Sequence, residues 1–234
     1  MKTVSHQKKV LIVLTSHSQM GTTGQTTGYY LPEVSHPVAK LEERGLAIDF
    51  VSPKGGNAPM DPRSRDLNDA VNATFLKRAD LVNKIENTLR PQDVNAKEYA
   101  AIFYAGGHGT MWDFPENEEL ANIAADIYEA GGVVAAVCHG PAALVNIKLK
   151  NGHHLVDGKK LTGFSNAEES AAGLTDIMPF LLETKLVDQG GIYSNASLWQ
   201  KHVITDQRLV TGQNPASAEG VGEQVAELVF GLNS

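Results

Sequence analysis

Short apolar runs recur along the chain, and amphipathic segments of helical period separate them. A run that is apolar at nearly every position predicts a strand buried on both faces, as in a parallel sheet. The predicted strands are KVLIVLTS (9–16), AIDFVSP (47–53), YAAIFYAGG (99–107), GGVVAAVCH (131–139) and KLTGFS (160–165).

Two segments between these runs carry apolar residues at helical spacing and end on glycine. They are EVSHPVAKLEERG (33–45) and ENEELANIAADIYEAGG (116–132). Glycine commonly closes a helix, and acidic residues at the start of the second segment favour its N-terminus. GPAALVNIKL, directly after Cys138, predicts a further helix with Pro141 in its first turn.

The C-terminal part predicts a hairpin in HVITDQRLVTG (202–212), followed by a helix in NPASAEGVGEQVAELVFGL (214–232). PKGGNAPMDPRSR (53–65) is rich in Pro and Gly and has no period, which predicts a surface loop. The alternation of strands and helices predicts a doubly wound α/β fold with a mostly parallel sheet between helices. No repeat or linker interrupts it, so we expect one domain over residues 1–234.

Composition narrows the class of protein. The net charge is −7 and the basic residues are scattered, which argues against a nucleic-acid partner. The single cysteine excludes an internal disulfide framework and fits a reducing compartment. VLIVL near the N-terminus is too short for a signal peptide, and no run approaches the about 18 apolar residues of a membrane span. We therefore expect a soluble, cytoplasmic protein with no membrane contact.

The only cysteine stands at a predicted strand-to-helix turn. In AVCHGP, Cys138 follows a buried strand, and His139, Gly140 and Pro141 lead into a helix. This is the arrangement of a nucleophile elbow, in which a helix N-terminus lowers the thiol pKa and the amide of His139 faces a developing oxyanion. His139 can serve as the base. The alternative is an inert buried cysteine that ends a strand.

A glycine-rich loop follows the preceding strand at the same predicted sheet edge. FYAGGHGTMWDF (103–114) makes the amide of Gly107 a candidate second oxyanion donor. His108 is either a substrate contact or an ordinary loop residue. No His or Cys spacing typical of a metal site occurs, and no phosphate-binding loop, so we expect neither a metal nor a cofactor.

Several of these motifs resemble those of a known protein superfamily. AVCHGP and AGGHG together make the chain similar to the ThiJ/PfpI superfamily, relatives of class I glutamine amidotransferases. DPRS, GFSNAEE and TGQNPAS point to the heat-shock-chaperone branch reported as glyoxalase III. The matching segments span nearly the whole chain in order. The resemblance implies a flavodoxin-like fold and a homodimer.

The resemblance assigns roles residue by residue. It makes Cys138 the nucleophile, His139 its catalytic neighbour, and a carboxylate of GFSNAEES the third member, which we take as Glu169 with Glu168 as the alternative. It also places Glu33 beside the sulfur, where burial and like charge would raise its pKa. From sequence alone, each of these acids could equally be a helix N-terminal acid.

The implied activity is the conversion of methylglyoxal or a similar 2-oxoaldehyde to D-lactate without glutathione, a cofactor or a metal. Cys138 would add to the aldehyde, Glu33 or His139 would move a proton through an enediol, and water would hydrolyse the thioester. Alternatives are a deglycase, a holdase chaperone that binds unfolded clients through exposed apolar surface, and a peptidase. Oxidation of Cys138 to a sulfinic acid is compatible with any of them.

Overall fold

A six-stranded sheet forms the centre of the computed structural model, which describes residues 7–231. The strands are β1 (Lys9–Val13), β2 (Ala47–Val51), β3 (Tyr99–Tyr104), β4 (Val133–Val137), β7 (Val203–Asp206) and β8 (Leu209–Gly212). Their order in the sheet is β2-β1-β3-β4-β8-β7, and only β7 runs antiparallel to its neighbour. The five parallel strands have the flavodoxin-like order, which confirms the predicted fold class.

The apolar runs predicted these strands because the parallel core strands are covered on both faces. Every residue of β4 is buried, and so are four of the five residues of β1. Burying a Val, Leu or Ile side chain contributes roughly 1.5–3 kcal/mol, so these two strands contribute much of the stability of the sheet. The observed strands end two to three residues before the predicted ones, because the last residues of each run form the functional loops.

Helices cover both faces of the sheet. Helices α1 and α8 pack against each other and against the sheet, and α5 packs on β3 and β4. The helices are α1 (Pro32–Glu43), α2 (Ala70–Leu76), α3 (Ala79–Glu86), α4 (Thr110–Asp113), α5 (Glu118–Glu129), α6 (Asn166–Ala171), α7 (Leu182–Asp188) and α8 (Ala218–Gly231). Both long predicted helices and the closing helix are therefore present, as is the predicted hairpin of β7 and β8.

Two predictions about local structure were wrong. KLTGFS does not join the main sheet: β5 (Lys160–Leu161) pairs only with β6 (Ile192–Tyr193) in a separate ribbon. The segment after Cys138 forms a 3₁₀ helix, Gly140–Asn146, rather than an α-helix. The segment 53–65 is a mostly exposed or half-buried loop, as predicted, but Asp61 and Ser64 within it are buried.

The physical reasons differ. A short apolar run cannot distinguish a central strand from one that lies beside the sheet, since both are buried. The segment after Cys138 is buried from Gly140 to Val145 and is therefore shaped by tertiary packing more than by helical propensity. In segment 53–65, Asp61 accepts hydrogen bonds from Thr27 and Arg63, so its charge is satisfied inside the protein.

Residues 1–6, which the targeting argument used, and Leu232, the last residue of the predicted closing helix, lie outside the described residues. Between residues 7 and 231, no helix is both long and apolar enough to cross a bilayer. That the whole chain forms one domain, and that it is cytoplasmic, stay predictions.

Candidate active site

Cys138 occupies a strained turn directly after β4. Its φ is +59°, a left-handed conformation that is uncommon for residues other than glycine and is often found at functional sites. The turn is held on both sides, since the Cys138 amide donates to the Gly212 carbonyl and the Phe164 amide donates to the Cys138 carbonyl. The predicted nucleophile elbow is therefore present at the carboxyl edge of the parallel sheet.

Two glycines allow the turn to lie against β3. A Cβ on Gly140 would overlap the carbonyl oxygen of Tyr104, and a Cβ on Gly106 would lie 2.6 Å from the Val137 carbonyl oxygen and 2.9 Å from Cys138 Cβ. The sequence analysis singled out Gly107 and missed Gly106, although both belong to the same AGGHG motif. Gly107 instead has φ +103° and lies against the backbone of Gly28 and Tyr30.

A hydrogen-bonded line runs from the sulfur to a carboxylate. Cys138 Sγ lies 3.3 Å from His139 Nδ1, and His139 Nε2 lies 2.6 Å from Glu169 Oε2. All three side chains are buried. Phe164 packs on the His139 ring, with centroids 4.3 Å apart, which restrains the imidazole plane. A thiol, an imidazole and a carboxylate are thus aligned, an arrangement that can supply a nucleophile, a base and an orienting acid.

Of the two acids considered for the third position, only Glu169 reaches His139. Both lie in the first turn of α6, whose N-cap is Ser165. Glu168 instead forms a capping box with Ser165 and also accepts hydrogen bonds from the Trp199 amide and from Asn214 Nδ2. Its oxygens are therefore engaged in holding three segments together.

Glu33 places a second carboxyl group beside the sulfur. It lies in the first turn of α1, is fully buried, and neither of its oxygens has a hydrogen-bond partner among the described residues. Burial raises the pKa of Glu33 to about 8. Cys138 and the Gly106 amide lower that pKa, but their effect is smaller than that of burial. Glu33 is therefore protonated at neutral pH and faces the sulfur as a proton donor.

The thiol pKa differs from the expectation. Burial, and then the charge of Glu33, raise the pKa of Cys138 well above its usual value, although the His139 amide acts in the opposite direction. The prediction of a lowered thiol pKa was wrong, because the short 3₁₀ helix after the cysteine does not offset complete burial. The sulfur must then lose its proton to His139 as it attacks.

His108 joins the site from the loop after β3. Its Nε2 lies 3.0 Å from Glu169 Oε1, and its ring centroid lies 4.1 Å from that of His139. Glu169 therefore accepts from two imidazoles. Burial works to raise the pKa of Glu169, but the two histidines outweigh it and hold that pKa well below its usual range.

The ring nitrogens and carboxylate of His108, His139 and Glu169 lie within 4.8 Å of one another, a grouping that could hold a metal ion. Sequence spacing missed it, because the three residues come from three segments that are distant in sequence. Arg63 Nη2 lies 3.4 Å from His108 Nδ1 and can only donate, so Nε2 carries the proton and points it at Glu169. Hydrogen bonding therefore already occupies the atoms that a metal would need.

The chain is similar to known proteins over nearly its whole length. The model of the DJ-1/PfpI family matches residues 26–228. The glutathione-independent glyoxalase HSP31 of Saccharomyces cerevisiae is 37% identical, over 90% of this chain and 93% of its own. Glyoxalase 3 of Candida albicans is 36% identical, over 93% and 96% of the two chains.

Solved structures give the same picture. Rapid Encystment Protein 24 KDa of Francisella tularensis superposes with a TM-score of 0.92 at 46% identity, covering 96% of this chain and 100% of its own. Glyoxalase III of Candida albicans superposes with a TM-score of 0.89 at 32% identity, covering 95% and 98%.

Proposed function

The chain belongs to the DJ-1/PfpI family, and from that premise we propose that it is a glutathione-independent glyoxalase acting on methylglyoxal or a related 2-oxoaldehyde. Two relatives named for this activity match nine-tenths or more of the chain. The observation that carries the chemistry is the pair of Cys138 and Glu33, a buried thiol and a buried carboxyl whose oxygens have no partner among residues 7–231.

The first step forms a hemithioacetal. The sulfur of Cys138 adds to the aldehyde carbon while His139 Nδ1, 3.3 Å away, takes the thiol proton. Glu33 gives its proton to the former aldehyde oxygen and becomes a carboxylate. Glu169 stabilises the imidazolium that forms, since its ionised oxygen lies 2.6 Å from His139 Nε2. The protein thiol thereby takes the place that glutathione would fill.

The second step moves a hydrogen between the two substrate carbons. The carboxylate of Glu33 removes the hydrogen of the former aldehyde carbon and returns it to the neighbouring carbon, through an enediol. The hydroxyl proton moves between the two oxygens with His139 as carrier. This gives a thioester, which water hydrolyses to the 2-hydroxy acid and the free thiol. The net reaction adds one water and neither consumes nor releases electrons.

Backbone amides would hold the negative oxygen. The His139 amide is the first candidate, because it donates a hydrogen bond towards the Cys138 sulfur and thereby lowers the thiol pKa. The Gly107 amide, predicted from the sequence, is the second candidate, and Gly106 packs beside Cβ of Cys138. The D-configuration of the lactate, the homodimer and any unfolded client proteins are implied by the resemblance and stay predictions.

The test is lactate formation from methylglyoxal in the absence of glutathione and added metal. We expect turnover by the parent protein that is lost in Cys138→Ala and in Glu33→Gln. Glu43→Gln, an exposed acid at the end of the same helix, is the matched control and should keep full activity. No lactate from the parent protein with its thiol shown to be reduced would overturn the proposal.

A further inference from the structure

A second chain of polar contacts reaches Glu169 at Oε1, whereas His139 contacts Oε2. It runs from Asp61 through Arg63 to His108 and ends on Glu169 Oε1. None of the first three residues touches the sulfur through a hydrogen bond. Because each contact has a donor and an acceptor fixed by residue type, the direction of every proton in the chain can be read from the geometry.

Asp61 is the fixed end of this chain. Its side chain is fully buried. It accepts hydrogen bonds from Arg63 Nε at 3.0 Å and from Arg63 Nη2 at 2.6 Å. Thr27 Oγ1 adds a third side-chain donor at 3.0 Å. Burial works to raise the pKa of Asp61, but the hydrogen bonds from Arg63 hold it below its usual value. The guanidinium is thus locked by two parallel bonds although part of it faces solvent.

Arg63 sets the tautomer of His108. A guanidinium has no acceptor, so His108 Nδ1, 3.4 Å from Arg63 Nη2, must present its lone pair. The remaining ring nitrogen, Nε2, then carries the hydrogen and donates it to Glu169 Oε1 at 3.0 Å. Without Arg63 the opposite tautomer could form, and it would set a lone pair against the carboxylate.

We propose that His108 and Arg63 are positioning residues that hold Glu169 in the orientation its partner His139 requires. A carboxylate that accepts on one oxygen only can rotate about its last bond, whereas donors on both oxygens remove that freedom. His108 thereby keeps Oε2 on His139 Nε2, and through it keeps His139 Nδ1 at the sulfur. This inference rests on the proposed function for its turnover readout only.

The charge of the cluster supports this role. Burial and the neighbouring His139 lower the pKa of His108 to about 4, so His108 is neutral at physiological pH. The positive charge of Arg63 also lowers the pKa of His108. The positive charge that appears in the first step therefore belongs to His139 alone, and His108 orients the carboxylate without competing for its charge.

The experiment compares His108→Leu, His108→Gln and Arg63→Gln with the parent protein. Gln at 108 keeps a side-chain N–H near the position of Nε2, whereas Leu removes it. The matched controls are Arg90→Gln, which breaks an exposed Arg–Asp pair of the same type, and His36→Gln, which breaks a half-buried His–Asp pair away from the site. Circular dichroism and thermal unfolding establish that each variant is folded.

The first readout is the pH dependence of Cys138 alkylation by iodoacetamide, which needs no turnover. We expect the profile of His108→Leu to shift to higher pH, because a misoriented His139 no longer takes the thiol proton, and His108→Gln to lie near the parent profile. The second readout is turnover of methylglyoxal: kcat of His108→Leu should fall about tenfold to a hundredfold with little change in KM, the size typical of residues that orient a catalytic ligand.

Arg63→Gln should show a smaller shift in the same direction, and the tautomer of His108, observed by nitrogen–proton correlation NMR, should change. An unshifted alkylation profile and unchanged kcat in folded His108→Leu would overturn the inference. If the parent protein makes no lactate but the alkylation profile still shifts in His108→Leu, then the proposed function fails and the positioning role stands.

Discussion

Glu168 and Glu169 are adjacent in sequence but form hydrogen bonds with different parts of the structure. Glu169 accepts a 2.6 Å hydrogen bond from His139, while Glu168 accepts from Ser165, Trp199 and Asn214. The first turn of α6 separates the two because neighbouring helical residues point about 100° apart. One acid belongs to the site and the other to the framework that holds α6.

Glutamine at each of these two positions should separate the acid that activity needs from the acid that only stability needs. We expect Glu169→Gln to lower kcat by about two orders of magnitude or more, since an amide cannot stabilise the imidazolium, and also to lose stability, since two imidazoles lose their carboxylate. Glu168→Gln should retain most activity but lose roughly 1–3 kcal/mol of unfolding free energy, because it leaves buried donors poorly paired. Steady-state kinetics and urea denaturation on both variants check this; the reverse pattern would exchange the two roles.

The rate should depend on the proton of Glu33. Because its pKa is raised to about 8, the carboxyl is protonated at neutral pH and ionises as pH rises. We expect kcat/KM for methylglyoxal to fall with a midpoint near pH 8. Glu33→Gln should show low residual activity with no such fall. A parent profile that is flat between pH 7 and 9, with the protein still folded, would contradict the assignment of the proton donor.

The same group should affect stability in a definite direction. The carboxyl of Glu33 binds its proton more tightly in the folded chain, with a pKa of about 8 against a usual value of 4.5, so its contribution to stability is complete below about 4.5 and is lost as pH rises towards 8. Relative to the parent protein, Glu33→Gln should therefore gain stability as pH increases from 5 to 8. Thermal unfolding across that range measures the difference, and Glu43→Gln, an exposed acid, should show none.

Gly106 should tolerate no side chain. A Cβ there would overlap Glu33 Oε2 and would lie 2.6 Å from the Val137 carbonyl, which is backbone and cannot turn aside. We expect Gly106→Ala to lose most activity and to unfold at lower temperature, since it moves Glu33 or Cys138. Gly231→Ala, where a Cβ meets nothing within 4 Å among residues 7–231, is the control. Full activity of Gly106→Ala would show that the close packing of Glu33 is not needed.

Most of the architecture could be predicted from sequence, and part of the site could not. Apolar runs identified β1 and β4 because strands covered on both faces need apolar residues at every position. The position of Cys138 at an elbow followed from the same reasoning. The contact of His108 with Glu169 joins residues 61 positions apart, and no local pattern encodes it.

The error on the thiol pKa has a similar cause. The sequence shows that a helical segment follows Cys138, but it does not show how deeply the sulfur lies or that Glu33 approaches it from α1. Desolvation depends on all surrounding elements at once, whereas a helix terminus is a local feature. Glu33 itself was singled out by the resemblance alone, since an acid in the first turn of a helix is ordinary.

The left-handed backbone at Cys138 sets folding and chemistry against each other at one position. An L-residue with a side chain pays roughly 1 kcal/mol or more for φ near +60°, while glycine adopts it freely. Glycine at 138 would therefore serve folding alone better than cysteine does. The strain at this turn is a cost in stability for which the proposed role of the thiol gives a reason.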